Sequence, residues 1–135
     1  MLAHKIERVA VVGTGTLGTQ IALQAAFYGY QVTAYDQDHT QFERMLKVIQ
    51  FRIQNSGKKA TPAFKNIPET ARKIILCSSL EEALRDVDLV IEAIPEYIPI
   101  KREVFEKLDA IAPKKTILAT NSSSIPISKI ESATR

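Results

Sequence analysis

The chain has 135 residues, with 18 lysines and arginines against 15 aspartates and glutamates, and one cysteine. This length fits a single domain, residues 1–135. The small net charge of +3, spread along the chain, gives no indication of nucleic-acid binding, and the lone Cys77 excludes an internal disulfide. No apolar run approaches the roughly 20 residues that cross a bilayer, and no leader pattern is visible, so we expect no membrane association and a cytoplasmic location.

The first half of the chain predicts strand, helix, strand and a second helix. Val9–Val12 and Val32–Tyr35 are short apolar runs, and apolar residues recur at helical spacing over 17–26 between them. Gly29 follows that helix, where a left-handed C-terminal cap favours a residue without a Cβ. Apolar residues spaced by three and four then predict a helix over Thr40–Asn55.

The middle of the chain gives a weaker pattern. Residues 56–73 combine one glycine, two prolines and several lysines, and their structure is left open. Ile74–Cys77 is predicted as a third strand and Leu89–Glu92 as a fourth. Between them, Ser79–Leu84 begins with the Ser-x-x-Glu spacing of a capping box and is predicted as a short helix.

Proline punctuates the last part of the chain. An amphipathic pattern lies between Pro99 and Pro113, which are suited to the start and the end of a helix. Thr116–Ala119 is predicted as strand five, Ser122–Ser124 as a polar turn, and Pro126–Ser132 as one more short helix.

These elements together predict an α/β fold. Strands that alternate with helices and are apolar throughout favour a parallel sheet covered on both faces. Right-handed crossover connections then favour a doubly wound, Rossmann-type sheet. We expect the strand order 3-2-1-4-5.

A glycine pattern joins the first strand to the first helix. Gly13, Gly15 and Gly18 form G-x-G-x-x-G, with Thr16 and Leu17 between the last two glycines. In this position the pattern is typical of a dinucleotide site, because the loop makes a tight turn and the helix N-terminus faces the phosphates. We therefore predict that these five residues bind the cofactor.

An acidic residue ends the second predicted strand. Asp36 lies 18 residues after Gly18, close to the spacing expected for the acid that hydrogen-bonds the adenosine ribose. Gln37 and Asp38 follow it, and the next arginine is Arg44. A 2′-phosphate would meet like charge here, so the sequence favours NAD over NADP, while a flavin is not excluded by this loop.

Polar residues follow strands four and five, where ligands bind in such sheets. Glu96 and Lys101 come after strand four and could contact an anionic ligand or form a solvated surface ion pair. Asn121 and the three serines Ser122–Ser124 come after strand five and could bind a substrate oxygen or a carboxamide. A serine-rich turn that caps the next helix would have the same composition.

These segments also carry a family resemblance. The segments concerned are GTGTLGTQIA, VTAYD, and the VIEAxxE and ATNxSS patterns within residues 90–124. The chain resembles the NAD-binding domain of the 3-hydroxyacyl-CoA dehydrogenases, which include the 3-hydroxybutyryl-CoA dehydrogenases. The match is firm over 5–36 and 86–134 and weak across the middle.

The resemblance implies roles for individual residues. Asp36 would hold the adenosine ribose, and Glu96 and Lys101 would contact NAD. Ser123 would touch both substrate and nicotinamide, with Asn121 beside it in a supporting catalytic role.

The resemblance also bears on one substitution and on one pair of lysines. Ser122 replaces the family's usual threonine and retains the hydroxyl. Lys58 and Lys59 could meet CoA phosphates, although a solvated lysine pair explains them equally well.

Neither of the two histidines suits a catalytic base for alcohol oxidation. His4 precedes strand one, and His39 follows strand two near the adenosine end. The resemblance implies that the family's catalytic histidine, its glutamate partner, strand six and a helical dimerisation domain all lie beyond residue 135. We therefore expect the cofactor-binding half of a homodimeric enzyme acting on acyl-CoA, and predict that this chain alone is inactive.

Two alternatives share this cofactor domain. One is a gulonate 3-dehydrogenase of the lambda-crystallin type, which would not need CoA. The other is a non-catalytic module that binds NAD.

Overall fold

Five parallel strands form one sheet in the computed structural model, which describes residues 5–135. The strands are β1 (Arg8–Val12), β2 (Gln31–Tyr35), β3 (Ile74–Leu76), β4 (Leu89–Glu92) and β5 (Ile117–Thr120). They lie in the order β3-β2-β1-β4-β5, and every neighbouring pair is parallel. The predicted doubly wound α/β fold and its strand order are therefore confirmed, with strand ends shifted by no more than one residue.

Five helices connect the strands. They are α1 (Thr16–Phe27), α2 (Gln41–Asn55), α3 (Ile67–Ala71), α4 (Leu80–Ala83) and α5 (Ile98–Ile111). All except α3 were predicted from apolar spacing or capping. Pro99 lies in the first turn of α5, where its missing N–H would have no partner within the helix.

Local capping signals are realised with one difference. Gly29 adopts φ +94° and donates its N–H to the Ala26 carbonyl at 3.2 Å, which ends α1 as predicted. The Ser79 hydroxyl accepts the Glu82 N–H at 3.2 Å, as in a capping box. The Glu82 carboxylate, however, binds the N–H of Ser78 at 3.0 Å instead of the N–H of the cap residue.

The apolar strands separate two cores, one on each face of the sheet. In β1, Val9 and Val11 face one core while Ala10 and Val12 face the other. The first core includes Leu23, Val32, Phe42, Ile49, Ile67 and Ile74, and the second includes Leu84, Val87, Val90, Phe105, Leu108 and Ile130. Burial on both faces explains why the strands lack an alternation of polar and apolar residues.

Residues 56–73, for which the sequence predicts no definite structure, contain a 3-10 turn (Pro62–Phe64) followed by α3. Ala63 and Ile67 are buried, and the Asn66 side chain caps α3 by accepting the Glu69 N–H at 3.2 Å. A few apolar residues therefore anchor a segment whose lysines and prolines otherwise resemble a loop.

The prediction of a single helix over Pro126–Ser132 is wrong. Two 3-10 turns, Ile127–Lys129 and Glu131–Ala133, occupy this segment. Ile130, between them, is 3% exposed and has φ −118°, far from the roughly −63° of a regular α-helix. The segment is therefore interrupted at a residue whose side chain is buried in the core.

Candidate functional site

A cleft of about 1180 Å³ opens at the carboxyl ends of the strands. The predicted site residues that line it are Gly13, Gly15, Thr16, Leu17, Asp36, Glu96, Asn121 and Ser123. They come from four regions of the chain: the β1–α1 loop with the first turn of α1, the end of β2, the loop after β4 and the loop after β5. The strand order reverses at β1, so the cleft lies at the switch point where doubly wound sheets bind ligands.

The three glycines of the β1–α1 loop have different surroundings. Gly13 adopts φ +98°, and a Cβ there would lie 2.7 Å from the Ala93 carbonyl oxygen. A Cβ on Gly18 would lie 1.8 Å from the Gly13 carbonyl oxygen, so that position is closed by helix–strand packing. A Cβ on Gly15 would meet no atom within 4 Å, because this backbone faces the cleft.

The N-terminus of α1 is suited to an anion. Gly15 is its N-cap residue and supplies no side-chain cap, and the first turn carries no acidic residue. The free N–H groups and the positive end of the helix dipole therefore remain available to a phosphate. The open position at Gly15 lets a pyrophosphate approach this backbone closely, so the loop fits a dinucleotide.

Asp36 is held at the end of β2 by the glycine loop itself. One carboxylate oxygen accepts the Thr14 N–H at 2.7 Å and the Thr14 hydroxyl at 3.2 Å, and the other accepts the Asp38 N–H at 2.8 Å. A carboxylate has about four acceptor positions, so one remains for a sugar hydroxyl. The buried Thr14 was missed from sequence, since a threonine beside a glycine carries no recognisable signal.

Arg44, the next arginine along the chain after Asp36, is already paired. The Arg44 guanidinium binds the Asp38 carboxylate and the Gln41 side-chain oxygen. Hydrogen bonds from the Thr40 hydroxyl and backbone N–H, and then the charge of Arg44, hold the pKa of Asp38 below its usual value. Among the described residues that line this end of the cleft there are carboxylates but no lysine or arginine, which disfavours a 2′-phosphate.

Lys101 is almost completely buried, 1% exposed, beneath the other half of the cleft. Its Nζ lies 2.7 Å from Glu92 Oε2, 3.2 Å from the Ile94 carbonyl oxygen and 3.3 Å from Glu96 Oε1. Glu92 is also fully buried, and its other oxygen accepts the Thr120 hydroxyl at 2.6 Å. The carboxylates of Glu92 and Glu96 balance the charge of Lys101 in the first turn of α5, where the helix dipole opposes a cation.

Sequence reasoning missed Glu92. Its signal was present, since it is an acidic residue at the end of a strand that is buried on both faces. A carboxylate in such a position needs a cationic partner, and Lys101 lies nine residues further along the chain.

Glu96 faces the cleft and is 37% exposed. The hydroxyls of Ser124 and Ser122 donate to its Oε2 atom, as does the Ser124 N–H at 3.3 Å. These hydroxyl hydrogen bonds, followed by the one from Lys101, lower the pKa of Glu96 to about 2. The serine-rich turn after β5 therefore fixes a charged glutamate and leaves Ser123 facing the cleft.

The other predicted site residues lie outside the cleft lining. Gly18 is buried in the helix–strand packing, and Lys59 is exposed in the segment after α2. His39 lines a small cavity that Asp36 also lines, while His4 lies outside the described residues. Between residues 5 and 135, no cluster of His, Cys, Asp and Glu side chains could hold a metal ion, and no helix is long and apolar enough to span a membrane.

A glycine loop that fits a phosphate, a carboxylate at the end of β2 and a cleft at the switch point are the features of a dinucleotide-binding domain. Residues 8–135 match the family described as "3-hydroxyacyl-CoA dehydrogenase, NAD binding domain". The chain belongs to this family of NAD-binding domains, which confirms the resemblance and the predicted cofactor.

Curated relatives agree with this assignment. The chain is 36% identical over 130 residues to a probable 3-hydroxybutyryl-CoA dehydrogenase of Bacillus subtilis, covering 96% of this chain and 45% of that protein. It is 35% identical over 134 residues to the mitochondrial hydroxyacyl-coenzyme A dehydrogenase of mouse, covering 96% and 43%. The chain therefore spans less than half the length of these two relatives.

Solved structures share the fold. A diketoreductase, whose structure was described for dual catalysis of dicarbonyl compounds, superposes with a TM-score of 0.80 at 38% identity, covering 98% of this chain and 47% of that one. The 3-hydroxybutyryl-CoA dehydrogenase of Escherichia coli superposes with a TM-score of 0.75 at 35% identity, covering 94% and 27%.

The glycines provide a matched pair of substitutions. Gly18→Ala should lower the free energy of unfolding by at least about 2 kcal/mol, because its methyl group would overlap the Gly13 carbonyl oxygen. Gly15→Ala should change it by less than about 1 kcal/mol, because φ is −68° and no atom lies within 4 Å. Urea unfolding measures both values, and equal effects of the two substitutions on stability would contradict this assignment.

Gly15→Ala should also weaken NADH binding about tenfold or more, since its methyl group would occupy the space through which the phosphate approaches the backbone. Calorimetric titration measures this change.

The charge of Glu96 should stabilise the fold in a defined pH range. Because the folded-state pKa is lowered from 4.5 to about 2, the stabilisation is complete above pH 4.5 and is lost as pH falls towards 2. The free energies of unfolding of wild type and Glu96→Gln, measured with urea, should therefore differ less at pH 3 than at pH 6.

A carbon-13 NMR titration should show a higher Glu96 pKa in Ser124→Ala, which removes one of the hydroxyls that donate to this carboxylate. The pKa should be unchanged in Ser128→Ala, a control at an exposed serine nearby in sequence.

Proposed function

We propose that this chain is the cofactor-binding part of an oxidoreductase that transfers hydride between NAD and the 3-hydroxyl of a 3-hydroxyacyl-CoA. The observation that carries the proposal is the single cleft that joins the glycine loop and Asp36 to Glu96, Asn121 and Ser123. The names of the curated relatives from Bacillus subtilis and mouse support the substrate class. Residues 1–135 then act as one NAD-binding domain.

The residues present fit the cofactor in order along the cleft. Asp36 would accept a hydroxyl of the adenosine ribose, and the N-terminus of α1 with Gly13 and Gly15 would hold the pyrophosphate. The nicotinamide half would then lie on the β4–β5 side, beside Glu96 and Ser123. The chemistry that the bound nicotinamide supplies is hydride transfer.

The polar residues after β5 would orient the reacting groups. Ser123 would donate its hydroxyl to a substrate oxygen or to the carboxamide, and the Asn121 amide could do the same. Both line the cleft, whereas Ser122 and Ser124 are bound to Glu96. Lys101, being buried, would act on the cofactor chiefly through Glu96.

The partners and location of the whole protein are also proposals. Exposed Lys59 could contact the phosphates of an acyl-CoA, and a homodimer is expected by analogy with the family. A cytoplasmic location is part of this proposal, and named relatives include a mitochondrial mouse protein and a peroxisomal Arabidopsis protein.

A substrate without CoA is the second candidate. The diketoreductase at 38% identity was described with dicarbonyl compounds, so this cofactor domain is compatible with substrates other than acyl-CoA. The alternative of a gulonate 3-dehydrogenase would likewise act on a substrate without CoA. Protection of Lys59 from amine-reactive labelling by CoA, at concentrations where ADP gives none, would favour the acyl-CoA reading, and equal labelling would favour the alternative.

Cofactor choice is tested by calorimetric titration with NADH and NADPH in parallel. Wild type should bind NADH at least about tenfold more tightly, because a 2′-phosphate would face the Asp36 and Asp38 carboxylates. Asp36→Asn should narrow this preference. Glu106→Gln removes an acidic side chain that is exposed on α5 and does not line the cleft, and should leave the preference unchanged. An NADPH preference in wild type would refute the assignment of Asp36.

The isolated chain should bind NADH without reducing acetoacetyl-CoA. Alcohol oxidation and its reverse need a positioned acid–base group, usually a histidine. Among residues 5–135 the only histidine is His39, beside Asp36 at the adenosine end. The absorbance of NADH at 340 nm should therefore fall no faster with the purified chain than with a mock purification from the same host. A steady fall that exceeds this control would overturn the expectation.

A further inference from the structure

Lys101 lies between two carboxylates and cannot neutralise both. Its Nζ is 2.7 Å from Glu92 Oε2 and 3.3 Å from Glu96 Oε1. The cluster of these three side chains, here called the shared-lysine cluster, carries two negative charges and one positive charge. One unit of negative charge therefore remains.

The remaining charge lies at the surface of the cleft. Glu92 is fully buried with the lysine, and a buried carboxylate needs a close cationic partner. Glu96 is 37% exposed, and three hydrogen bonds from Ser122 and Ser124 stabilise its ionised form. The burial and the distances therefore assign the lysine charge mainly to Glu92.

Among the residues that the structure describes, no other carboxylate lining this half of the cleft carries an uncompensated charge. Glu103 lies there too, but its carboxylate is paired with Lys107 Nζ at 3.0 Å. Asp36 and Asp38 line the opposite half, after β2. Among the described residues, Glu96 is thus the main source of negative potential beside Asn121 and Ser123.

This potential acts where the two forms of the cofactor differ. The oxidised nicotinamide ring is a cation and the reduced ring is neutral, while the rest of the molecule is the same. A nearby carboxylate distinguishes the two forms by its charge alone, because it attracts the cationic ring and not the neutral one.

We propose that Glu92, by neutralising Lys101, makes Glu96 a carboxylate that favours the oxidised over the reduced form of the cofactor. This inference rests on the proposed function, since it assumes that the nicotinamide lies on the β4–β5 side. Glu96 then determines specificity for the oxidation state, and Glu92 is a positioning residue that acts through Lys101.

The test measures the ratio of the dissociation constant of NADH to that of NAD⁺ by calorimetry at low salt. Glu96→Gln and Glu92→Gln each reduce the cluster charge to zero, and each should lower the ratio about three- to tenfold. The double variant Glu92→Gln/Lys101→Met disturbs the same buried pair but keeps one negative charge. Its affinity for both forms can fall, while their ratio should stay at the wild-type value.

The ratio separates the effect of charge from the effect of structure. Weaker binding of both forms by one factor in all variants would overturn the proposal, because it would show a structural role only. A changed ratio in Glu96→Gln with an unchanged one in a folded Glu92→Gln would overturn the role of Glu92. If Glu92→Gln fails to fold, Glu96→Gln and the double variant still decide, since their ratios must differ. Failure of wild type to bind either form would instead reject the proposed function.

Discussion

The buried ion pair between Glu92 and Lys101 connects three elements at the carboxyl edge of the sheet. Glu92 ends β4, Lys101 lies in the first turn of α5, and the Thr120 hydroxyl brings in the end of β5. Such a pair adds little net stability over an apolar core, since desolvation offsets much of the attraction. Its contribution is geometric, because the charges are satisfied only when these three elements meet in one arrangement.

The same pair determines how the loops of the cleft are used. Glu96 contacts Lys101 with its Oε1 atom at 3.3 Å, while its Oε2 atom accepts the hydroxyls of Ser122 and Ser124. Ser123, between them, is left facing the cleft. A run of three similar residues thus divides into two that support the structure and one available to a ligand.

Much of this arrangement could be predicted from local patterns. The strands, four of the five helices and the strand order follow from apolar runs, from capping residues such as Ser79, and from the handedness of crossovers. The glycine loop and Asp36 could be located because their spacing along the chain reflects one βαβ unit. These features depend on neighbours in sequence, or on rules shared by all folds of this class.

The features that could not be predicted depend on tertiary packing. Glu92 is buried against Lys101, and a hydrogen bond from Thr14 to Asp36 joins the glycine loop to the end of β2. Ile130 similarly interrupts a locally helical pattern because the core accepts its side chain. Single-sequence periodicity has no access to such contacts, which exist only once the sheet is assembled.

The hydrogen bonds of Asp36 also bear on how a ligand would be received. Its carboxylate is already oriented by the Thr14 and Asp38 N–H groups, so the loss of rotamer freedom at this side chain occurs during folding and not at encounter with a ligand. A site ordered in advance loses less entropy on association and needs no slow rearrangement. The glycine loop therefore orients the Asp36 carboxylate before any ligand arrives. We expect a ligand to bind this end of the cleft with little change in the protein.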